Sequence, residues 1–369
     1  MRRYFLHLVI VSTIVGIGLF KFLMYKTWSK SDPILPVDPR YKNARCCAEI
    51  NGKSLEQIQC HFANKSTIVS NLDPPECTCE DYFYCKLVVV SSVSSNHFNE
   101  IKDMVASVQT HMPNTTLIVY SLGLTDTEAQ VLRSYCNLEL RIFDFNKYPS
   151  LKYSRRNLQH YGWKPLVVHE VSVEHEVIMY FDCSIRLVSP IMSNGSLLTY
   201  FSSSWPAFIV GSEYGKGCNR SESPDKPIAS FTHDGMLKYL FPNRSLDLPA
   251  LRQELAVWGH IESGCWLMWF TSEVREKILG NWVDCAFHEE CMAPPNTSVW
   301  GCKGQFLHDY SSSGEYIGCH RYDQSALNLI LYREFGIDSM DSICHSSVLE
   351  FFAVERYPTK HYELCVSSH

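Results

Sequence analysis

The sequence lacks several motifs that point directly to one chemistry. It contains no His-Glu-x-x-His, no Gly-x-Ser-x-Gly and no Gly-x-x-x-x-Gly-Lys-Ser/Thr. The classes that these motifs mark, zinc hydrolases, serine hydrolases and P-loop proteins, therefore lose support. The chain also has no excess of positive charge, since its net charge is -6. Without a basic surface to neutralise phosphates, we expect no nucleic-acid partner.

No internal repeat and no low-complexity segment is present, but cysteine is abundant, with 16 in 369 residues. This content indicates an oxidising compartment or metal sites. The proline-rich stretch 25–85 holds six of them and has no Cys-x-x-Cys pair that would favour zinc. We therefore interpret 25–85 as a disulfide-rich stem, with these cysteines: Cys46, Cys47, Cys60, Cys77, Cys79 and Cys85.

The N-terminus carries an apolar run. No charged residue occurs from Tyr4 to Phe20, and the run extends to Met24 past a single lysine. About 20 apolar residues span a bilayer as a helix. No convincing small-x-small cleavage site follows Phe20, which favours an uncleaved anchor over a signal peptide. We predict a cytosolic tail at 1–3 and a transmembrane signal anchor at 4–24.

Six Asn-x-Ser/Thr sequons follow the apolar run. Six sequons are more than chance would give at this content of serine and threonine. The excess indicates a glycosylated chain on the luminal side of a membrane. We therefore predict a single-pass type II protein of the Golgi membrane, with the endoplasmic reticulum or the cell surface as alternatives. The acceptor asparagines are Asn64, Asn114, Asn194, Asn219, Asn243 and Asn296.

Strand and helix patterns alternate from Lys86 onward. Strands are predicted at 86–93, 115–122 and 138–145, with helices at 99–112 and 125–135 between them. This order is typical of a parallel sheet with right-handed crossovers, and we predict one α/β domain over 86–369. Further predictions are strands at 176–181, 207–212 and 265–270, and helices near 159–173, 272–285 and 323–335.

Asp182 is a carboxylate at the exit of a predicted central strand. Ligands of open α/β sheets bind beyond the carboxyl ends of the strands. Asp182 and the Ser184 hydroxyl could supply oxygen ligands to a hard divalent cation. Asp182 could equally be a capping residue that satisfies loop amides. The segment by itself leaves both interpretations open.

Four segments carry a resemblance to a known family. Asp182-x-Ser184 resembles a degenerate Asp-x-Asp motif of nucleotide-sugar glycosyltransferases with the GT-A fold. Tyr161-Gly-Trp-Lys-Pro165 is similar to the Trp-Lys-Pro of animal nucleotide-diphospho-sugar transferase-like proteins, and Glu262-Ser-Gly264 resembles a strand entry of that fold. His320–Asn328 resembles the Asp-Gln-Asp-x-Leu-Asn helix start of retaining transferases related to glycogenin and bacterial galactosyltransferases. Ser184 and Ser325 stand where those motifs have an acid.

The resemblance implies a GT-A-like, Rossmann-type mixed sheet, mostly parallel and flanked by helices. It further implies that Asp182 holds Mn²⁺ or Mg²⁺ against the diphosphate of a nucleotide sugar. Ser184 would be a weak second ligand and His345 a third. Lys164 or Arg186 would offset the phosphate charge.

The remaining site residues implied by the resemblance contact the base, the sugar and the acceptor. Asn96 would lie by the nucleotide base, with His97 as a further candidate. Glu262, Asp323 and Gln324 would line the sugar and acceptor side. Glu262 would be the general base of an inverting enzyme, and Gln324 would lie near the anomeric carbon in a retaining one, which the motif favours. Asp323 also looks like an ordinary N-cap for its helix.

The sequence thus predicts a Golgi-type glycosyltransferase that moves a sugar from a nucleotide sugar, in particular a UDP-sugar, to a glycan or glycoprotein acceptor. The alternative is a catalytically inactive luminal scaffold or binding protein, because Ser184 and Ser325 each remove an acid. A disulfide-rich adhesion ectodomain would be all-β, which the alternating pattern contradicts.

Overall fold

The computed structural model describes residues 86–189, 208–210, 227–259, 261–298, 315–336, 352–355 and 364–366. The predicted tail, anchor and stem, and His345, lie outside these ranges. Among the helices of the described ranges, none is long and apolar enough to cross a membrane.

A six-stranded mixed sheet forms the centre of the domain. Four strands run parallel, and two further strands pair antiparallel beside the last of them. The mixed, mostly parallel sheet that the sequence predicts is confirmed. The strands are β1 (Leu87–Val93), β2 (Thr116–Ser121), β3 (Leu138–Ile142), β4 (Val177–Phe181), β6 (Phe208–Val210) and β7 (Cys265–Trp269), in the order β3-β2-β1-β4-β7-β6. A separate pair joins β5 (Ile185–Leu187) to β8 (Phe352–Val354).

Nine α-helices in the described ranges connect and cover the strands. Helix α1 links β1 to β2, α2 links β2 to β3, and α4 precedes β4. The helices are α1 (Phe98–His111), α2 (Asp126–Arg133), α3 (Lys152–Arg156), α4 (Trp163–Glu174), α5 (Asp234–Leu240), α6 (Leu248–Leu255), α7 (Asn281–Phe287), α8 (Glu289–Met292) and α9 (Tyr322–Phe335).

Both faces of the sheet are covered, which explains why its central strands are continuous apolar runs. Every residue of β1, β4 and β7 is buried. Helices α4, α7 and α9 contribute to the apolar cluster on one face, and α1 contributes to the cluster on the other. Alternate residues of β1 enter the two clusters, Val88 and Val90 on the first face and Leu87 and Val89 on the second. Parallel strands buried on both sides need such sequences.

The order of the strands reverses beside β1. The chain places β2 and β3 on one side of β1 and β4 on the other. Crossovers then leave in opposite directions from neighbouring strands, so a crevice opens at their carboxyl ends, where ligands of open α/β sheets bind. Asp182, which follows β4 directly, lies at this crevice.

Three predicted elements differ from the structure. The helix predicted near 159–173 begins at Trp163, because 158–160 is a 3-10 turn and Tyr161 adopts a left-handed conformation with φ of 53°. The strand predicted over 138–145 ends at Ile142, followed by a short 3-10 turn. In the helix predicted over 272–285, Val274–Gly280 forms a π-helix before α7 begins.

Asp323 is not the N-cap of its helix, contrary to the expectation from the sequence. Helix α9 begins at Tyr322, and Arg321 stands at the cap position without a side-chain cap bond. Asp323 is therefore inside the first turn, where its side chain is buried and bonds to other elements of the fold. The contacts of Asp323 with other elements of the fold therefore outweigh the preference of aspartate for N-cap positions.

Other local predictions are confirmed. Thr125 and Glu128 form the predicted capping box at the start of α2. The described sequon asparagines, Asn114, Asn243 and Asn296, are exposed, and their glycosylation stays a prediction. Disulfides join Cys136 to Cys365 and Cys285 to Cys291. Cys183 and Cys265 are buried free thiols.

The two disulfides differ in the length of chain that they close. Their sequence separations are 229 and 6 residues. Loop-closure entropy then predicts about 5 kcal/mol of stabilisation for Cys136–Cys365 and about 2 kcal/mol for Cys285–Cys291. We expect the paired Cys→Ser change at 136 and 365 to lower the denaturant midpoint more than the pair at 285 and 291. Equal midpoints for the two variants would contradict this explanation.

Candidate functional site

The candidate site begins with Asp182, directly after β4. Its side chain is 36% exposed, whereas the strand before it is buried. Its backbone N–H donates to the Gly264 carbonyl at 2.7 Å, just before β7 starts. A Cβ on Gly264 would lie 2.7 Å from Asp182 Oδ2, so the absence of a side chain there makes room for the carboxylate. The two strand ends therefore hold Asp182 at the mouth of the crevice.

Lys164 lies behind Asp182, in the first turn of α4. Its side chain is 1% exposed, and its Nζ lies 3.1 Å from Asp182 Oδ1 and 2.8 Å from Asp323 Oδ2. The ammonium also faces the rings of Tyr180 and Tyr161, 5.1 and 5.4 Å from their centroids. One buried cation thus joins α4, β4 and α9 through two carboxylates and two aromatic faces.

Burial and charge act in opposite directions on this group. Burial lowers the pKa of Lys164, but the Asp182 and Asp323 carboxylates outweigh burial and hold that pKa well above its usual value. Burial raises the pKa of Asp323, against the opposing effect of Lys164. A lysine shared by two carboxylates stays charged at neutral pH, and the site retains a fixed positive charge at its base.

The first turn of α9 brings Asp323 and Gln324 to the same crevice. Ser263 Oγ donates to Asp323 Oδ2 at 2.8 Å, and Trp282 Nε1 donates to the Asp323 carbonyl at 3.2 Å. Gln324 Nε2 donates to the carbonyl of Ile261 at 3.0 Å and to Glu262 Oε2 at 3.1 Å. The half-buried Glu262 carboxylate therefore lies beside the Gln324 amide.

Each residue of the segment 262–264 contacts a different predicted site residue. Glu262 bonds to Gln324, Ser263 bonds to Asp323, and Gly264 borders Asp182. Ser263 and Gly264 belong to the strand entry whose resemblance to the GT-A fold is visible in the sequence, but no separate role was predicted for either of them.

Other predicted site residues lie elsewhere. Arg186 is buried and donates to the carbonyls of Cys183 and Ile185, and its guanidinium lies 3.7 Å from Asp103. These contacts direct it toward α1, away from Lys164. That Arg186 offsets the charge of the phosphates stays a prediction, and none of these contacts supports it.

Asn96 and Ser184 lie at the same edge of the sheet as Asp182. Asn96 is exposed in the turn after β1 and accepts a hydrogen bond from Ser94 Oγ at 2.6 Å. Ser184 is half-buried, and its carbonyl accepts from Glu355 N–H at 2.7 Å. His345 lies outside the described residues, so its position is not part of this geometry.

Of the predicted metal ligands, Asp182 and Ser184 lie in the described ranges and His345 does not. These ranges contain no group of three His, Cys, Asp or Glu side chains that could hold a metal ion. The carboxylate that would serve, Asp182, is already paired through Oδ1 with the Lys164 ammonium 3.1 Å away. We therefore derive no step through a metal.

His320 is a buried residue next to the site that the sequence reasoning left without a role. Its Nδ1 accepts from the N–H of His233 at 3.2 Å, and its Nε2 lies 3.2 Å from the Met292 carbonyl. Burial lowers the pKa of His320 to about 3. The neutral ring fixes the turn that leads into α9 and hence the start of the helix that carries Asp323.

Comparison with protein families gives one match, by the model described as "Protein of unknown function (DUF1647)". It covers residues 52–169, less than half of the chain. No curated protein matches.

The chain is similar to several solved structures. They include the bifunctional glycosyltransferase WbbM, with 10% identity and a TM-score of 0.37, over 67% of this chain and 37% of WbbM. Mouse xyloside xylosyltransferase 1 shows 9% identity and a TM-score of 0.37, over 70% and 83%. The mannosyltransferase Ktr4p from S. cerevisiae shows 10% identity and a TM-score of 0.39, over 79% of each. At these identities and TM-scores we base no statement about activity on the likeness.

Gly264→Ala tests the packing of the strand end against Asp182. The added Cβ would lie 2.7 Å from Asp182 Oδ2 and should cost about 1–3 kcal/mol of folding free energy. In an Asp182→Ala background the clash is gone, so the same change should cost less than about 0.5 kcal/mol. Chemical denaturation of the four proteins measures this cycle. A cost that is the same in both backgrounds would refute the contact.

His320 predicts a pH dependence of stability. Its pKa falls from 6.5 to about 3 on folding, so its contribution is complete above pH 6.5 and is lost as the pH falls toward 3. One such proton changes the unfolding free energy by about 1.4 kcal/mol per pH unit. His320→Gln should flatten the stability profile between pH 6.5 and 4. An unchanged slope in His320→Gln would contradict this assignment.

Proposed function

We propose that the protein is a glycosyltransferase that transfers a sugar from a nucleotide sugar, in particular a UDP-sugar, to a glycan or glycoprotein acceptor. The observation that supports this most directly is the meeting of four separate segments at one crevice. These segments lie up to 160 residues apart in the chain, and their side chains contact one another in the crevice. The residues are Lys164, Asp182, Glu262 and the pair Asp323–Gln324. These are the segments on which the resemblance to GT-A glycosyltransferases depends.

The ammonium of Lys164 lies at the base of the crevice that a diphosphate donor would enter. It offsets one of the two carboxylates with which it pairs, Asp182 and Asp323, and so lowers the negative charge that the diphosphate meets. Asp182, at 36% exposure, keeps a surface from which it can accept hydrogen bonds from ligand hydroxyls. As the sugar leaves, the fixed ammonium would stabilise the charge that develops on the diphosphate.

Glu262 and Gln324 would act on the sugar and the acceptor. In an inverting reaction the Glu262 carboxylate would take the proton of the acceptor hydroxyl. In a retaining reaction the Gln324 amide would lie by the anomeric carbon. We favour retention, because the Asp323-Gln324 start of α9 is the part of the resemblance that belongs to retaining enzymes.

A second candidate function is a binding protein of the same fold without transferase activity. Ser184 stands where the resemblance has an acid, and the described donors do not form a metal site. For either function we propose a luminal position behind a Golgi membrane anchor. The six sequons and the cysteine content support this location.

Donor turnover tests the proposal. The full chain, produced in a glycosylating host and purified in detergent, is offered UDP-glucose, UDP-galactose, UDP-xylose and GDP-mannose, with manganese and with a chelator. We expect nucleotide release from one donor and a loss of at least about 100-fold in Asp182→Asn, which removes the charge that pairs with Lys164. Asp126→Asn, an exposed acid on α2, is the matched control and should keep full activity.

The other outcomes are distinct. Release that persists with the chelator and still needs Asp182 would mean that the enzyme works without a metal. Binding of UDP or GDP in calorimetry without release from any donor would favour the binding protein. Neither release nor nucleotide binding would contradict the transferase and favour an inactive scaffold that binds no nucleotide.

A further inference from the structure

A fully buried asparagine lies one turn after Gln324 on α9. Asn328 is 1% exposed, and both ends of its amide are bonded. Its Oδ1 accepts from the N–H of Ile261 at 2.9 Å and from Trp258 Nε1 at 3.3 Å. Its Nδ2 donates to the carbonyls of Ile261 and Gln324, at 2.8 Å each. Asn328 is the last residue of the segment His320–Asn328 that carries the resemblance, and no role was predicted for it.

These bonds join two distant parts of the chain. Asn328 bonds to both the N–H and the carbonyl of Ile261, which lies 67 residues away and directly before Glu262. The Gln324 side chain donates to the same Ile261 carbonyl. The position of Glu262 relative to Gln324 therefore depends on where Asn328 holds the Ile261 peptide.

A side-chain amide is needed at this position. The Ile261 peptide presents a donor and an acceptor, and Asn supplies an acceptor and two donors on one short side chain. An ionised aspartate would place a carboxylate against two carbonyls, while a serine would leave most of these buried groups unpaired. Neither replacement can hold both sides of the peptide.

The bonds of Asn328 stay on one side of the site. In the described part of the chain, none of its hydrogen bonds reaches Lys164, Asp182 or Asp323, which are held by their own ion pairs and by Ser263. The crevice thus has two parts, the ionic group and the Glu262–Gln324 pair, and the hydrogen bonds of Asn328 reach the backbone that carries the second.

We propose that Asn328 is a positioning residue that fixes the Glu262–Gln324 pair and thereby governs the sugar-transfer step, while the affinity for the donor depends on the ionic group. This inference rests on the proposed function. It assigns the two parts of the crevice to different steps of the reaction.

The test separates kcat from donor binding in Asn328→Ser and Asn328→Asp, using the full chain and the donor that the wild type turns over in the panel above. A displacement of reacting groups by about 1 Å can cost about 100-fold in rate. We expect kcat to fall by about that factor and the calorimetric Kd for UDP or GDP to stay within about twofold.

Two further variants distinguish the positioning role from a general loss of stability. Leu331→Ala opens a cavity in the same helix and leaves the bonds of Asn328 in place, so it should lower the melting temperature without lowering kcat at 15 °C. Trp258→Phe removes one bond to Asn328 Oδ1 and should lower kcat several-fold. If neither Asn328 variant folds, the kcat of Trp258→Phe still tests the positioning role.

The outcomes distinguish this inference from the function on which it rests. Two results would overturn the positioning role and leave the transferase intact. In the first, the Asn328 variants lose kcat and donor affinity by the same factor. In the second, Leu331→Ala loses as much kcat as the Asn328 variants do. A wild-type kcat in the Asn328 variants would also overturn the positioning role. A wild-type protein that neither turns over a donor nor binds UDP or GDP would overturn the proposed function and this role with it.

Discussion

The arrangement of the site depends on one buried charge. Lys164 is 1% exposed, and an isolated ammonium at that depth would cost several kcal/mol of folding free energy. The protein offsets this cost by bringing two carboxylates within 3.1 Å, one after β4 and one from α9. Removing either partner would leave an uncompensated charge in the interior. The ion pairs therefore fix the relative positions of three elements that local sequence preferences could not align.

In the segment 262–264, three consecutive residues connect that charge group to the rest of the crevice. Its glycine makes room for Asp182, its serine donates to Asp323, and its glutamate pairs with Gln324. The contacts run from an antiparallel strand entry to a strand exit and a helix start. Groups carried on the ends of rigid elements are held more firmly than groups on long loops.

The two serines that replace acids have different surroundings. Ser325 is buried, and its hydroxyl donates to the Phe231 carbonyl at 2.8 Å. A carboxylate there would face a carbonyl without a proton to donate, so the serine suits the packing of this chain. Ser184 is half-buried in the turn after Asp182. Loss of an acid therefore has a structural explanation at 325, while at 184 a hydroxyl stands in place of an acid two residues after Asp182.

The sequence by itself determined the alternation of strands and helices from residue 86, the capping box at Thr125 and the position of Asp182 at a strand exit. These features follow from periodicity and local hydrogen bonding, which neighbouring residues decide. Only the tertiary structure decided that Asp323 pairs with Lys164 instead of capping its helix, that Arg186 faces α1, and that Asn328 holds the Ile261 peptide. Such contacts join residues far apart in the chain, and burial, not local propensity, sets their energies.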